Sequence, residues 1–253
     1  MTGQALLVIA DIGGYTPFMR LHRTSLAHAQ DVVARLLEAV IDAAPNLSLL
    51  EVEGDAAFLY AWTPEGLETS TVRMCIDQMV AMHRAFHACQ QNIAALNNCS
   101  CEGCRQAGRL RVKFVAHLGD VAVQRVKRSA KLVGLDVILV HRMLKNAVPI
   151  PEYLLLSEAV FRRTDDSIRS RGQSLAQELE GLGVVPSYFM DLTELAAHGS
   201  ATGSVAGDAP PDTEVTLLGR FRENFGVVFR SLPYLLGLKK PRYALRLTSQ
   251  AAP

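Results

Sequence analysis

The chain has 253 residues, 49% hydrophobic and 20% charged, with 26 Lys and Arg against 25 Asp and Glu. That composition excludes disorder throughout and fits one large domain or one domain with an extension. The charge is uneven: residues 215–253 carry seven basic side chains and the single acid Glu223, leaving 19 bases and 24 acids before them. Residues 1–10 lack the basic start and long apolar stretch of a signal peptide. No apolar run approaches the roughly 20 residues of a membrane span, so a cytoplasmic protein is expected.

Leu6 to Ala10 is a continuous apolar run stopped by Asp11 and Gly13-Gly14, the pattern of a strand buried on both faces. Ala29, Val32, Val33, Leu36, Leu37, Val40 and Ile41 then fall on one helical stripe that closes at Pro45-Asn46. Leu47 to Val52 and Ala57 to Trp62 read as a hairpin turning at Glu53-Gly54-Asp55. A long helix is expected from about Leu67 to Leu96, followed by a cysteine cluster. Leu110 to His117 and Val121 to Val126 read as a strand pair around Gly119-Asp120, and Val137 to Leu144 as a helix. Tyr153 to Leu156 and Tyr188 to Leu192 are late strands. The order β-α-β-β-α-β predicts a ferredoxin-like α+β sandwich over residues 1–195. Residues 196–214, rich in Ala, Gly, Ser, Thr and Pro, read as a flexible linker. Residues 215–253 form a basic segment with Leu217, Leu218, Phe221, Phe225, Val228, Phe229 and Leu232 at amphipathic helical spacing.

Asp11 ends the first strand and Asp55 sits in the hairpin turn, so a parallel first and second strand would bring both carboxylates to one end of the sheet. Paired hard oxygen ligands suit Mg²⁺, which keeps water and substrate phosphates in its shell. The backbone of Ile12, Gly13, Gly14, Tyr15 and Thr16 beside them can approach a polyphosphate. The competing reading is that Asp and Gly at strand ends are ordinary turn residues.

Asp11-Ile12-Gly13-Gly14-Tyr15-Thr16 resembles the D-I-x-G-F-T signature of class III adenylyl and guanylyl cyclases. Glu51-Val52-Glu53-Gly54-Asp55-Ala56 resembles that family's second metal motif. Val115 to Asp120 is similar to its internal I-H-x-G strand, and Gly134 to Met143 to its G-x-x-V-N-x-A-x-R helix. The pieces occur in the family's order across roughly residues 4–195, and the Cys-rich insert resembles an uncharacterised bacterial branch. The resemblance implies Mg²⁺ or Mn²⁺ at Asp11 and Asp55, a head-to-tail homodimer, and Arg142 reaching across it to the phosphoryl group. The implied reaction closes a nucleoside triphosphate into a 3′,5′-cyclic nucleotide and releases pyrophosphate.

Several positions depart from the family pattern. Ile138 stands where the family has a ribose-orienting asparagine, and Glu180 where it has a triphosphate-binding lysine. Glu51 holds the purine-selecting position with the residue guanylyl cyclases carry, weakly favouring GTP, while its usual partner position is Lys131. Lys145 and Asn146, past Arg142, could substitute or be solvated helix residues. These departures support an alternative reading, a catalytically degenerate domain that binds a nucleotide or a protein partner in signalling.

Cys99, Cys101 and Cys104 place three thiols in six residues, and with Cys89, His87 or His83 from the preceding helix they could hold a structural Zn²⁺. A Cys101–Cys104 redox pair and free loop thiols remain open. His117 and His141 are expected to be packed histidines. The basic segment could lie on a membrane surface as a peripheral contact, or pack on the acidic body or a dimer partner. Nucleic-acid binding is not expected from so modest an excess of charge.

Overall fold

The computed structural model describes residues 2–21, 26–63, 68–96, 106–127 and 129–199. The cysteines at 99, 101 and 104, nearly all of the linker, and the basic segment lie outside these residues. The first half runs β1 (Thr2–Gly13), α1 (Tyr15–Leu21), α2 (Leu26–Asp42), β2 (Ser48–Glu53), β3 (Ala56–Trp62) and α3 (Thr69–Leu96). A short 3-10 turn at Ala107–Arg109 leads into β4 (Arg111–Val126), β5 (Ser129–Val133), α4 (Leu135–Met143) and β6 (Tyr153–Ser157). The chain continues through α5 (Glu158–Phe161), α6 (Asp166–Arg169), β7 (Gln173–Leu179), β8 (Gly183–Asp191) and α7 (Leu192–Gly199).

One mixed sheet results, in the order β2-β3-β1-β4-β6-β8-β7, with β5 paired to the far end of β4. Its first four strands have the β4-β1-β3-β2 arrangement of the expected ferredoxin-like unit. Burial on both faces explains the apolar run of β1. Leu6, Val8, Ala10 and Ile12 pack with the stripes of α2 and α3, while Leu7 and Ile9 join Val115, Leu155, Val140 and Met143 on the opposite, α4 side. No helix among the described residues is long and apolar enough to cross a membrane.

Local differences from the expected elements have physical causes. β1 runs through Asp11 to Gly13 because it is paired on both sides, Asp11 opposite Ala56 of β3 and Gly13 opposite Arg111 of β4. β1 and the hairpin's first strand do run the same way, but they do not pair: β3 lies between them, antiparallel to both. The segments on either side of Gly119-Asp120 are one 16-residue strand rather than a hairpin. Gly119 is a place of close approach, since an added Cβ would collide with the Asp136 carboxylate. That carboxylate accepts the Asp120 N–H at 2.7 Å, so the Gly-Asp pair is read by α4 and not by a turn. The reversal comes seven residues later, at Lys127 with φ 56°. Helix α1 and strand β7 had no clear sequence signal.

Candidate functional site

Asp11 and Asp55 meet at one end of the sheet. The Ile12 N–H donates to the Asp55 carbonyl at 3.0 Å, tying the β2–β3 turn to β1. Gly54, at φ 63°, supplies the left-handed residue this tight turn requires. Burial, and then the neighbouring Asp11 charge, push the Asp55 carboxyl above the ordinary aspartate range. The Asp11 charge opposes ionisation of Asp55, and a bound cation would relieve that opposition.

Lys113 also enters this site, which motif reading did not reveal. It lies opposite Asp11 in the β1–β4 register, and its Nζ is 3.0 Å from Asp11 Oδ2. Burial works against the ammonium charge, but Asp11 outweighs it and raises the Lys113 pKa. Arg111 and Lys113 share one face at the site end of β4, opposite Gly13 and Asp11, a spacing visible in the sequence but uninformative until the register is known. Arg109 and Leu110 help to line a cleft of about 230 Å³ with Gly14, Pro17 and Phe18 beside the β1–α1 turn. Of the Ile12-to-Thr16 segment, Ile12 is buried with its N–H already used, whereas Gly14 and Thr16 are exposed and Gly13 and Tyr15 half-buried.

Glu51 and Lys131, the two positions to which the resemblance assigns base selection, are also together: Lys131 Nζ is 2.6 Å from Glu51 Oε2. The lysine hydrogen bond holds the Glu51 carboxyl below its ordinary value. Arg142 lies on α4 beside Gly181 at the β7–β8 turn. Ile138, 48% exposed, lies one turn before it, and Glu180 is exposed. Asn146 is spent on structure: its Nδ2 donates to the Met143 carbonyl, while its Oδ1 accepts from Val148 N–H and Tyr153 O–H. Lys145 remains exposed.

His117 is a packed histidine, hydrogen-bonded to Ser157 Oγ at 2.8 Å and Asp136 Oδ1 at 2.9 Å. Although this is a Ser-His-Asp relay in outline, Ser157 is only 3% exposed, which leaves no room for a substrate at its hydroxyl. His141 stacks edge-on against Phe58. Cys89 faces α2, where its thiol donates to the Arg35 carbonyl at 3.6 Å. His83 and His87 converge instead on Glu152, a residue that sequence spacing did not single out.

A family model described as "Protein of unknown function (DUF2652)" matches residues 33–153. The uncharacterized protein Rv2561/Rv2562 of Mycobacterium tuberculosis is 38% identical over 221 residues, spanning 87% of this chain and 96% of that one. Among solved structures, the adenylyl cyclase CyaB from P. aeruginosa is similar at TM-score 0.57 and 14% identity, over 76% of this chain and 95% of that one. A class III adenylyl cyclase-like ATP-binding protein from Pseudomonas aeruginosa is similar at TM-score 0.55 and 15% identity, over 67% of this chain and 36% of the other. The chain therefore belongs to one family with the uncharacterized protein Rv2561/Rv2562, and it has the fold of class III nucleotidyl cyclases.

Proposed function

We propose that this protein seats a Mg²⁺- or Mn²⁺-bound nucleoside triphosphate at Asp11 and Asp55 and closes it into a 3′,5′-cyclic nucleotide. The observation that carries this reading is the meeting of the two carboxylates across the β1–β3 pairing, on a fold shared with class III cyclases. Two hard oxygen donors, one with its acidity weakened by burial and then by the other, suit a divalent cation. When bound, the cation polarises the phosphoryl oxygens and favours ionisation of the ribose 3′-hydroxyl.

The chain's own residues would position the reactants. Asp11 and Asp55 would hold the divalent cation that neutralises the phosphates, and Lys113, now ion-paired with Asp11, would have to give up that contact. The exposed backbone at Gly14 and Thr16 approaches the phosphates, and Arg142 of a head-to-tail partner stabilises their developing charge. The 3′-oxygen forms a bond to the α-phosphorus, the bond from that phosphorus to the β-phosphate oxygen breaks, and pyrophosphate leaves while the hydroxyl proton passes to solvent. Glu51, an acceptor for guanine N–H groups once Lys131 moves aside, weakly favours GTP over ATP.

A second reading, nucleotide binding for signalling without turnover, has its own support. Ile138 cannot hydrogen-bond a ribose, Glu180 carries the wrong charge for phosphate, and Asn146 is engaged elsewhere. Losing one oriented polar contact commonly costs about 10²–10³ in rate. Incubating the purified chain with each of four nucleoside triphosphates and Mg²⁺ or Mn²⁺ tests the enzyme reading, with product detection by mass spectrometry. A cyclic nucleotide absent from the Asp55→Ala control is expected. Nucleotide binding with no product would leave the second reading.

A further inference from the structure

His83 and His87 lie one turn apart on the same face of α3, and Glu152 reaches them from the residue before β6. Tyr153, the next residue, turns to the opposite side of the sheet, where Asp11 and Lys113 lie; Glu152 turns toward α3. The three side chains bring one ligand atom each to within 4.8 Å of the others. His87 Nε2 is 2.8 Å from Glu152 Oε1, and His83 Nε2 is 3.5 Å from Glu152 Oε2. Taken to the two oxygens of one carboxylate, those separations lie on either side of the roughly 3.3 Å between ligand atoms of a tetrahedral ion with bonds of about 2.0–2.1 Å, so a small rotation of Glu152 would be needed to present one oxygen to both rings.

The surrounding hydrogen bonds prepare the ligands. Gln90 Nε2 donates to the Ala107 and Leu110 carbonyls at 2.9 Å each, which fixes the amide and leaves its Oε1 facing His87 Nδ1 at 3.2 Å. The proton of a neutral His87 must then sit on Nδ1, directing the Nε2 lone pair at a carboxylate oxygen. Two electron-rich atoms at 2.8 Å need a proton or a cation between them. A histidine oriented through its far nitrogen, facing a carboxylate that is itself held by the Val112 N–H at 3.2 Å, has the outer hydrogen bonding typical of metal ligands.

The second ring is poorly satisfied by the protein. The His83 side chain is 7% exposed, and among the described residues its polar contact is the long one to Glu152 and its Nδ1 has no hydrogen-bond partner. Burying an imidazole this way is unfavourable; coordination through Nε2 would replace its long contact to Glu152 with a strong bond, leaving Nδ1 as it is. Glu152 is 11% exposed and His87 28%, leaving one side of the cluster reachable from solvent.

We propose that His83, His87 and Glu152 bind a first-row divalent cation, Zn²⁺ in preference to Mg²⁺, with water in the fourth position. Two imidazoles and one carboxylate suit zinc, whereas magnesium favours all-oxygen shells. The site pins α3 to the neighbouring starts of β4 and β6, on the other face of the sheet from Asp11 and Asp55, and does not depend on nucleotide binding.

Cobalt and zinc titration of the metal-stripped full chain carrying Cys99→Ser, Cys101→Ser and Cys104→Ser tests the site without competition from loop thiols. One equivalent of Co²⁺ should bind with tetrahedral visible bands and no thiolate charge-transfer band, and Zn²⁺ should displace it. His87→Gln and Glu152→Gln should each weaken binding at least tenfold, with folding confirmed by circular dichroism, while Asp55→Ala leaves the equivalent in place. Absence of binding in the triple-serine chain, or binding indifferent to His87→Gln and Glu152→Gln in folded protein, would overturn the proposal.

Discussion

Lys113 sets the resting electrostatics of the acidic site by holding Asp11 at 3.0 Å while Asp55 sits beside it with its acidity reduced. Lys113→Met leaves the Asp11 charge without this counterion. Without divalent cations, the variant should lose about 1–3 kcal/mol of stability, and Mn²⁺ should raise its melting temperature by more than it raises that of the parent. A thermal scan with and without Mn²⁺ measures both effects. On the same face, Gly119→Ala forces Asp136 away from His117 and the Asp120 N–H. Overpacking of this kind costs about 1–3 kcal/mol, readable as a lower urea midpoint. Asp11 and Asp55 were legible as a pair because Asp11 ends an apolar run before Gly13-Gly14 and Asp55 follows Gly54 in the hairpin turn. Lys113 and Glu152 were not, because register and tertiary packing, rather than local pattern, bring them to their partners.

At the scale of elements, the strongly periodic or uniformly apolar segments were the legible ones. β1, α2 and α3 follow from their apolar spacing, since each buries a whole face or stripe. Gly119-Asp120 misleads because a Gly-Asp pair signals a turn unless a distant carboxylate uses its backbone. The short helix α6 depends on a local device: Asp165 caps it, accepting the Ile168 N–H at 3.0 Å, and also meets Arg73 of α3 at 2.9 Å. Burial would raise the Asp165 pKa, but hydrogen bonds from Ser167, Arg73 and Ile168 N–H outweigh it and hold it at about 2, against 3.8 ordinarily. Asp165→Ala should cost about 1 kcal/mol near neutral pH. Because the folded pKa is the lower one, Asp165 contributes fully above the unfolded value of 3.8 and loses its contribution as pH falls through about 2. Denaturation of parent and variant across that acidic range should therefore show their difference closing.

For the whole molecule, the sequence order of motifs was enough to identify the fold, and the strand order agrees with it. Chemistry was less legible, because the groups that would complete the proposed site depend on assembly for their positions relative to one another. If Arg142 serves a site on a head-to-tail partner, Asp55→Ala and Arg142→Ala chains should each be inactive alone. An equal mixture should regain about a quarter of parental turnover, since half the dimers are mixed and each holds one intact site of two. Failure to recover activity on mixing, with the parent active, would place Arg142 outside a shared site. The most direct test of the central claim is equilibrium binding of GTP and ATP to the full chain, with and without Mg²⁺, compared with Asp11→Asn and Asp55→Asn. Mg²⁺-dependent binding weakened at least tenfold by either substitution is predicted. Binding indifferent to the metal and to both aspartates, or no binding at all, would contradict the account.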